Sequence, residues 1–248
     1  MRSSTKLIAF ALVSVASAAR AEVSQPTAII DRPRTLPDGE FEGSISLGTG
    51  RVASTTATGT TFSDATGLDL GIGYGFSRRF EGRLGYGIGV DPSTAKGPLG
   101  FAIAYNLARG RLSAAFDAGV GYDFRSEHGL PLTLGFEMQG KIGERGALFT
   151  PGQQLSIGTS GDNPIGLDLP IGLGYQANFH FWVDVQTKIA HLGLAHDSTL
   201  VFGADFIPLQ FDAIYAISNA FDLGLGFEDD FKNAGNSYGF TGFARLFL

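Results

Sequence analysis

From Asp38 to Leu248 the chain repeats segments in which every second residue is large and apolar, with Gly, Ala, Ser, Thr or Asp between. Ala65–Phe76 carries the pattern plainly. Leu68, Leu70, Ile72, Tyr74 and Phe76 share one parity, and Gly67, Asp69, Gly71, Gly73 and Gly75 the other. A period of two is that of a β-strand, whose successive side chains leave opposite faces of the pleat. The pattern predicts strands over roughly Glu40–Leu47, Thr66–Phe76, Phe80–Val90, Leu99–Leu107, Leu112–Phe124 and Pro131–Ile142. It continues over Ala147–Gly158, Leu167–Tyr175, Phe179–Ile189, Ser198–Ile217, Ala220–Glu228 and Ser237–Leu248, about twelve strands in all.

The connections alternate in length. Ser77–Arg79, Ala108–Arg111, Gly143–Gly146, Gln176–Asn178 and Ser218–Asn219 are tight. Gly48–Ala65, Asp91–Pro98, Arg125–Leu130, Thr159–Gly166, Ala190–Asp197 and Asp229–Asn236 are longer. Short periplasmic turns and longer outer loops, with an even strand count, describe an antiparallel up-and-down transmembrane barrel with both termini periplasmic. In the tenth segment the apolar parity changes across Pro208, from Leu200, Phe202 and Phe206 to Leu209, Phe211 and Tyr215. Such a phase slip reads as a β-bulge, a place where Pro is tolerated.

The first residues change the picture. Arg2 and Lys6 precede the apolar run Leu7–Ala19 and the sequence Ala19-Arg20-Ala21, the pattern of a cleaved export signal over residues 1–21. The apolar run is shorter than the roughly 20 residues of a membrane-spanning helix. Residues 22–37 lack periodicity and hold Pro26, Pro33 and Pro37, an extended periplasmic lead-in that can tuck into the barrel mouth. Residues 38–248 form the barrel. Losing Arg2, Lys6 and Arg20 takes the 18 basic residues to 15 against 24 acidic. That balance speaks against nucleic-acid binding. There is no cysteine, hence no disulfide framework and no zinc–thiolate site.

Two surfaces have such a pattern, the inside of a soluble barrel or the outside of a membrane one. Charged residues are only 17% of the chain and glycine 36 of 248, against about 25% and 7% in soluble proteins. The polar parity is Gly, Ala, Ser and Asp, a poor exterior in water. Aromatics gather near strand ends, Phe76, Phe80, Tyr105, Tyr175 and Phe179 at one side and Tyr122, Phe124, Phe227 and Tyr238 at the other, as the girdles of a membrane barrel do. The export signal, the hairpin array and the terminal strand with Tyr238, Phe240, Leu246 and Leu248 in phase resemble the bacterial outer-membrane β-barrel superfamily over nearly the whole mature chain. Members often end in Phe; this chain ends Phe247-Leu248. The resemblance implies residence in the outer membrane, contact with its lipid and lipopolysaccharide, and insertion by its assembly machinery.

With the apolar parity outward, the polar parity lines a lumen. Inward acids are Glu40, Glu42, Asp69, Glu81, Asp117, Asp123, Glu137, Asp168, Asp184, Asp205, Asp212, Asp222 and Glu228, and the inward bases are Arg83, Lys141, Lys188 and Arg245. His180 and Trp182 share the parity of Asp184. The small residues on the same parity leave room for water, or for a loop or the N-terminal segment. An acidic wall favours cations. The expected function is a narrow, water-filled, cation-preferring channel for small solutes, without a cofactor. A plugged structural barrel and a hydrolase at the outer rim are the alternatives.

Candidate chemistry is sparse. His180 and Asp184 stand about 13 Å apart along one strand, too far for a dyad. His191, His196, Asp197 and Ser198 cluster near one loop, but acid–base catalysis requires convergence in space. No specific hydrolase motif surrounds Ser198, and a solvated polar loop is the better account of them. Glu228, Asp229 and Asp230 lack the spacing of a calcium loop. The Gly-x-Gly-x-Gly runs lack the strand-to-helix setting of a nucleotide site.

Overall fold

Branched and aromatic residues favour the pleated backbone, and glycine between them lets neighbouring strands approach and bend. The computed structural model describes residues 25–56, 59–94, 97–124, 131–159, 164–195 and 207–248. In it this alternation becomes twelve antiparallel strands. They are β1 (Phe41–Thr56), β2 (Gly59–Gly75), β3 (Phe80–Asp91), β4 (Pro98–Ala108), β5 (Leu112–Asp123) and β6 (Leu132–Ile142). After them come β7 in two pieces (Gly146–Thr150 and Leu155–Ile157), β8 (Ile165–Gln176), β9 (Phe181–Ala195), β10 (Pro208–Ala216), β11 (Phe221–Asp230) and β12 (Tyr238–Phe247). Each pairs with its chain neighbours, and β12 closes on β1 from Glu42↔Phe247 to Arg51↔Tyr238. Closure leaves no sheet edge around the wall, the condition for placing strands in hydrocarbon.

The parity prediction holds along the wall. Leu70, Ile72, Leu84, Phe101, Phe136, Leu173, Leu225 and Phe240 are exposed on the outside, while Glu81, Asp117, Gln139 and Asp222 are buried within. A continuous apolar exterior of this extent is a lipid-facing surface. Phe41, where β1 begins, and the C-terminal Leu248 hydrogen-bond to each other at the end of the barrel that carries the tight turns. It is called here the turn end, and the opposite one the loop end.

Three boundaries differ from expectation. Gly48–Ala65 is not a long loop, because β1 and β2 stay in register without a break from Phe41↔Tyr74 to Thr56↔Gly59. The stretch is rich in Thr and Ser on both parities, so strand propensity persists where apolar alternation stops. The seventh strand breaks at Pro151–Gln154, where Pro151 cannot donate to the ladder. There Gln153 adopts a left-handed φ of 61°. The Gln154 side chain patches the gap: its Nε2 donates to the Phe136 carbonyl at 2.8 Å and its Oε1 accepts from the Phe136 N–H at 2.6 Å. Finally, the ninth strand runs on to Ala195, where a loop over Ala190–Asp197 was expected; β10 is described from Pro208, and residues 198–206 of the expected tenth strand fall outside the described residues, as does the export signal.

Among the described residues, 25–40 make the longest departure from the wall. They carry a single 3₁₀ turn, Ile29–Asp31, and run inside the barrel across its turn end.

Candidate functional site: the lumen and its inner segment

The inner segment is held by the backbone and side chains of most of the wall. The Ile30 N–H donates to Gln176 Oε1 at 3.0 Å, and Gln139 Nε2 donates to the Ile30 carbonyl at 2.9 Å. The Arg34 N–H donates to Ser113 Oγ, Asn106 Nδ2 to Thr35 Oγ1, and the Leu36 N–H to Glu81 Oε2 at 2.7 Å. Gly39 donates to the Gly75 carbonyl. A methyl group at Gly75 would sit 1.9 Å from the Pro37 carbonyl oxygen, so only glycine lets the segment lie this close to β2.

Its apolar side chains have their own seat. Ala28 and Ile30 pack with Ala147, Phe149, Trp182 and Ile214, and Phe243 lies against this cluster. These wall residues are large apolar groups on the inward parity. Trp182 was expected to narrow the lumen; it does so as part of this seat, at 3% exposure. Phe149, Ile214, Phe243 and Phe247 were not singled out from the sequence. Their signal was legible, because each is a large apolar residue on the polar parity of its strand.

The charges fall into two groups. At the turn end Arg32 of the segment meets Asp222, with contacts of 2.5 and 2.9 Å, and Arg245 reaches the same carboxylate at 3.0 Å. Arg32 also donates to the Pro26 and Thr27 carbonyls, which ties the segment into a knot. Arg83 bridges Glu81 and Glu137 and donates to the Arg34 carbonyl. Arg34 donates to Gln139 and lies over the Phe149 ring. Lys141 pairs with Asp31 of the segment. Asp184 accepts from Trp182 Nε1 at 2.6 Å. Asp117, 1% exposed, accepts the Gln153 N–H and so fixes the inward loop of β7.

Toward the loop end the arrangement differs. A cavity of about 600 Å³ is lined by Asp69, Asp212 and Glu228 with Ser44, Ser46, Gln210 and Thr241. Gln186 and Gln210 donate to Asp212. This cavity shares Glu42, Gly71, Gly85 and Arg245 with one of about 830 Å³ that lies against the inner segment. Together they leave space inside the wall that is lined by charged and polar side chains as well as apolar ones.

Of the other expected residues, Asp168 accepts from Lys188 at 3.2 Å and faces His191 Nδ1 at 2.6 Å. The side chain of Asp123, and Asp205, His196, Asp197 and Ser198, fall outside the described residues. His180 is a correction. It sits in the turn before β9, its Nδ1 2.6 Å from the Ala216 carbonyl and its ring stacked on outward-facing Tyr215. The strand begins only at Phe181, so the parity rule does not reach His180. Asp230 accepts from Ile207, Lys232 and Asn233, and Asp229 from Asp230 and Gly235. These carboxylates cap their own loop. Among the described residues no group of three or more His, Asp or Glu is placed to hold a metal.

No protein-family model and no curated protein matches the chain. Solved structures do. The NanC porin superposes with a TM-score of 0.55 at 7% identity, covering 82% of this chain and 98% of that one. The COG4313 outer membrane channel from Pseudomonas putida F1 gives 0.53 at 12% identity, covering 86% and 97%. This chain has the fold of an outer-membrane β-barrel. The translocator domain of the autotransporter NalP from Neisseria meningitidis also matches, at 0.53 and 8% identity, covering 98% and 95%. One wall architecture therefore occurs in a porin, a channel and a translocator domain, and what this barrel does has to be argued from its own lumen.

Proposed function

We propose that this protein is a narrow outer-membrane channel for small solutes whose turn end is occluded by its own residues 25–40. The observation that carries the reading is the pair of adjacent cavities, each with charged side chains in its lining, inside an apolar-walled barrel. The NanC and COG4313 neighbours, a porin and a channel by name, are consistent with it. The turn end with both termini faces the periplasm and the loop end the exterior, the orientation such barrels take. The wall contacts outer-membrane lipid and lipopolysaccharide, and the assembly machinery inserts the exported chain. Asp69, Asp212 and Glu228 line the outer cavity, where Arg245 at its inner limit is the one base among the described lining residues, which favours cations there. Selection rests on width and charge, with no bond chemistry.

The test is planar-bilayer conductance of the refolded protein under a salt gradient, beside a variant lacking residues 25–37. Discrete steps with a cation-selective reversal potential, larger in the variant, support the channel. Silence in both overturns it and leaves a structural barrel, the second reading, which the many contacts of the inner segment favour. The Asp168–His191 contact is what a rim hydrolase would require of its base and orienter. Turnover of an ester substrate, lost on His191→Ala, would replace the channel reading with that one.

A further inference from the structure

Taken in strand order around the cavity next to the inner segment, carboxylates and guanidiniums are interspersed: Glu42 on β1, Glu81 and Arg83 on β3, Glu137 on β6, Arg34 of the segment above β6 and β7, Asp184 on β9, Arg245 on β12. The wall alone does not make this pattern. It supplies the carboxylates of Glu42, Glu81, Glu137, Asp184 and Asp222 but only the guanidiniums of Arg83 and Arg245. The segment adds the missing cations. Arg32 enters the ion pair with Asp222, whose side chain is wholly buried. Arg34 lies in electrostatic reach of Glu137 and Asp184. The two arginines are two residues apart, so their backbone origins are separated by about 7 Å of extended chain.

We infer that this ring is a binding site for organic dications, linear diamines or short basic peptides, and that Arg32 and Arg34 occupy it as tethered mimics of such a ligand. An excess of carboxylates spread around the lumen holds two separated positive groups better than one. A second cation bound by the same molecule adds its attraction without a second loss of translational freedom. A free dication therefore competes with the segment for the seat, and a monoamine of equal length competes far less. As a statement about what the channel admits, the inference rests on the channel reading; as a statement about binding, it does not need conduction.

The chain's single tryptophan reports on the seat, because Trp182 packs against Ala28 and Ile30. Tryptophan emission of the refolded full chain is titrated with cadaverine and, at matched ionic strength, with pentylamine. The expected result is a red shift with cadaverine at about tenfold lower concentration than with pentylamine. In parallel, current through Arg32→Gln/Arg34→Gln, which leaves the wall untouched, is titrated with both amines; cadaverine should block it at about tenfold lower concentration. Equal action of the two amines in both assays, or a tenfold preference in the current block that Asp222→Asn added to the double variant leaves unchanged, overturns the site. Absence of current in every variant defeats the channel reading, while the emission titration still decides the site.

Discussion

The two halves of the lumen obey the same parity rule and end in opposite electrostatic states. In the turn half, Asp222 takes two guanidiniums and Arg83 is shared by Glu81 and Glu137. In the loop half, Lys188 and His191 meet Asp168, but Asp69 and Glu228 line open space and Asp212 accepts from the amides of Gln186 and Gln210. The strands supply carboxylates to both. What separates them is residues 25–40, which carry Arg32 and Arg34 into one half and leave the other as the wall made it. Inward charge is thus a property of position, and free inward charge a property of what else has folded in.

The comparison is broken most severely by removing the segment. Deleting residues 25–37 should raise single-channel conductance severalfold and strengthen cation selectivity, because the turn half regains its unpaired carboxylates; equal currents would mean that the segment does not obstruct the path. Next in size, Asp222→Asn leaves Arg32 and Arg245 facing each other without their anion. Breaking a buried pair from one side costs about 3 kcal/mol, so Trp182 emission should shift to the red and proteases should cut the segment sooner. An unchanged spectrum would mean that the apolar seat alone holds it.

Neutralising the other half separates charge from seating. Asp69→Asn, Asp212→Asn and Glu228→Gln together should move the reversal potential toward zero while Trp182 emission stays as in the parent. A smaller effect is expected at the wall itself. Gln154→Ala removes two hydrogen bonds to Phe136, each worth about 1 kcal/mol, so the urea midpoint should fall modestly with conductance little changed. A large loss of stability there would show that the broken strand β7 depends on this one amide.

Much of this was legible along the chain. The period of two identifies strands wherever one face is apolar, and the alternation of turn lengths orders them into hairpins. The rule fails where its signal stops. Residues 49–63 have no apolar parity, so β1 and β2 run on through a stretch that reads as loop. His180 stands one residue before its strand, and there parity has no meaning. The inner segment is the larger case. Its prolines and lack of period say only that it is not a strand, and nothing local says that Arg32 meets Asp222, which is 190 residues away.

The sequence by itself determined the twelve-stranded wall and its lipid-facing side, because strand formation and the choice of face are short-range properties of alternating residues. It also held the seat in plain view, as the large apolar residues Phe149, Trp182, Ile214, Phe243 and Phe247 on inward positions. Only the tertiary structure decided what fills that seat and which carboxylates are neutralised by it. Those depend on residues that closing the barrel brings within hydrogen-bonding distance, and no local pattern encodes a contact made across the lumen.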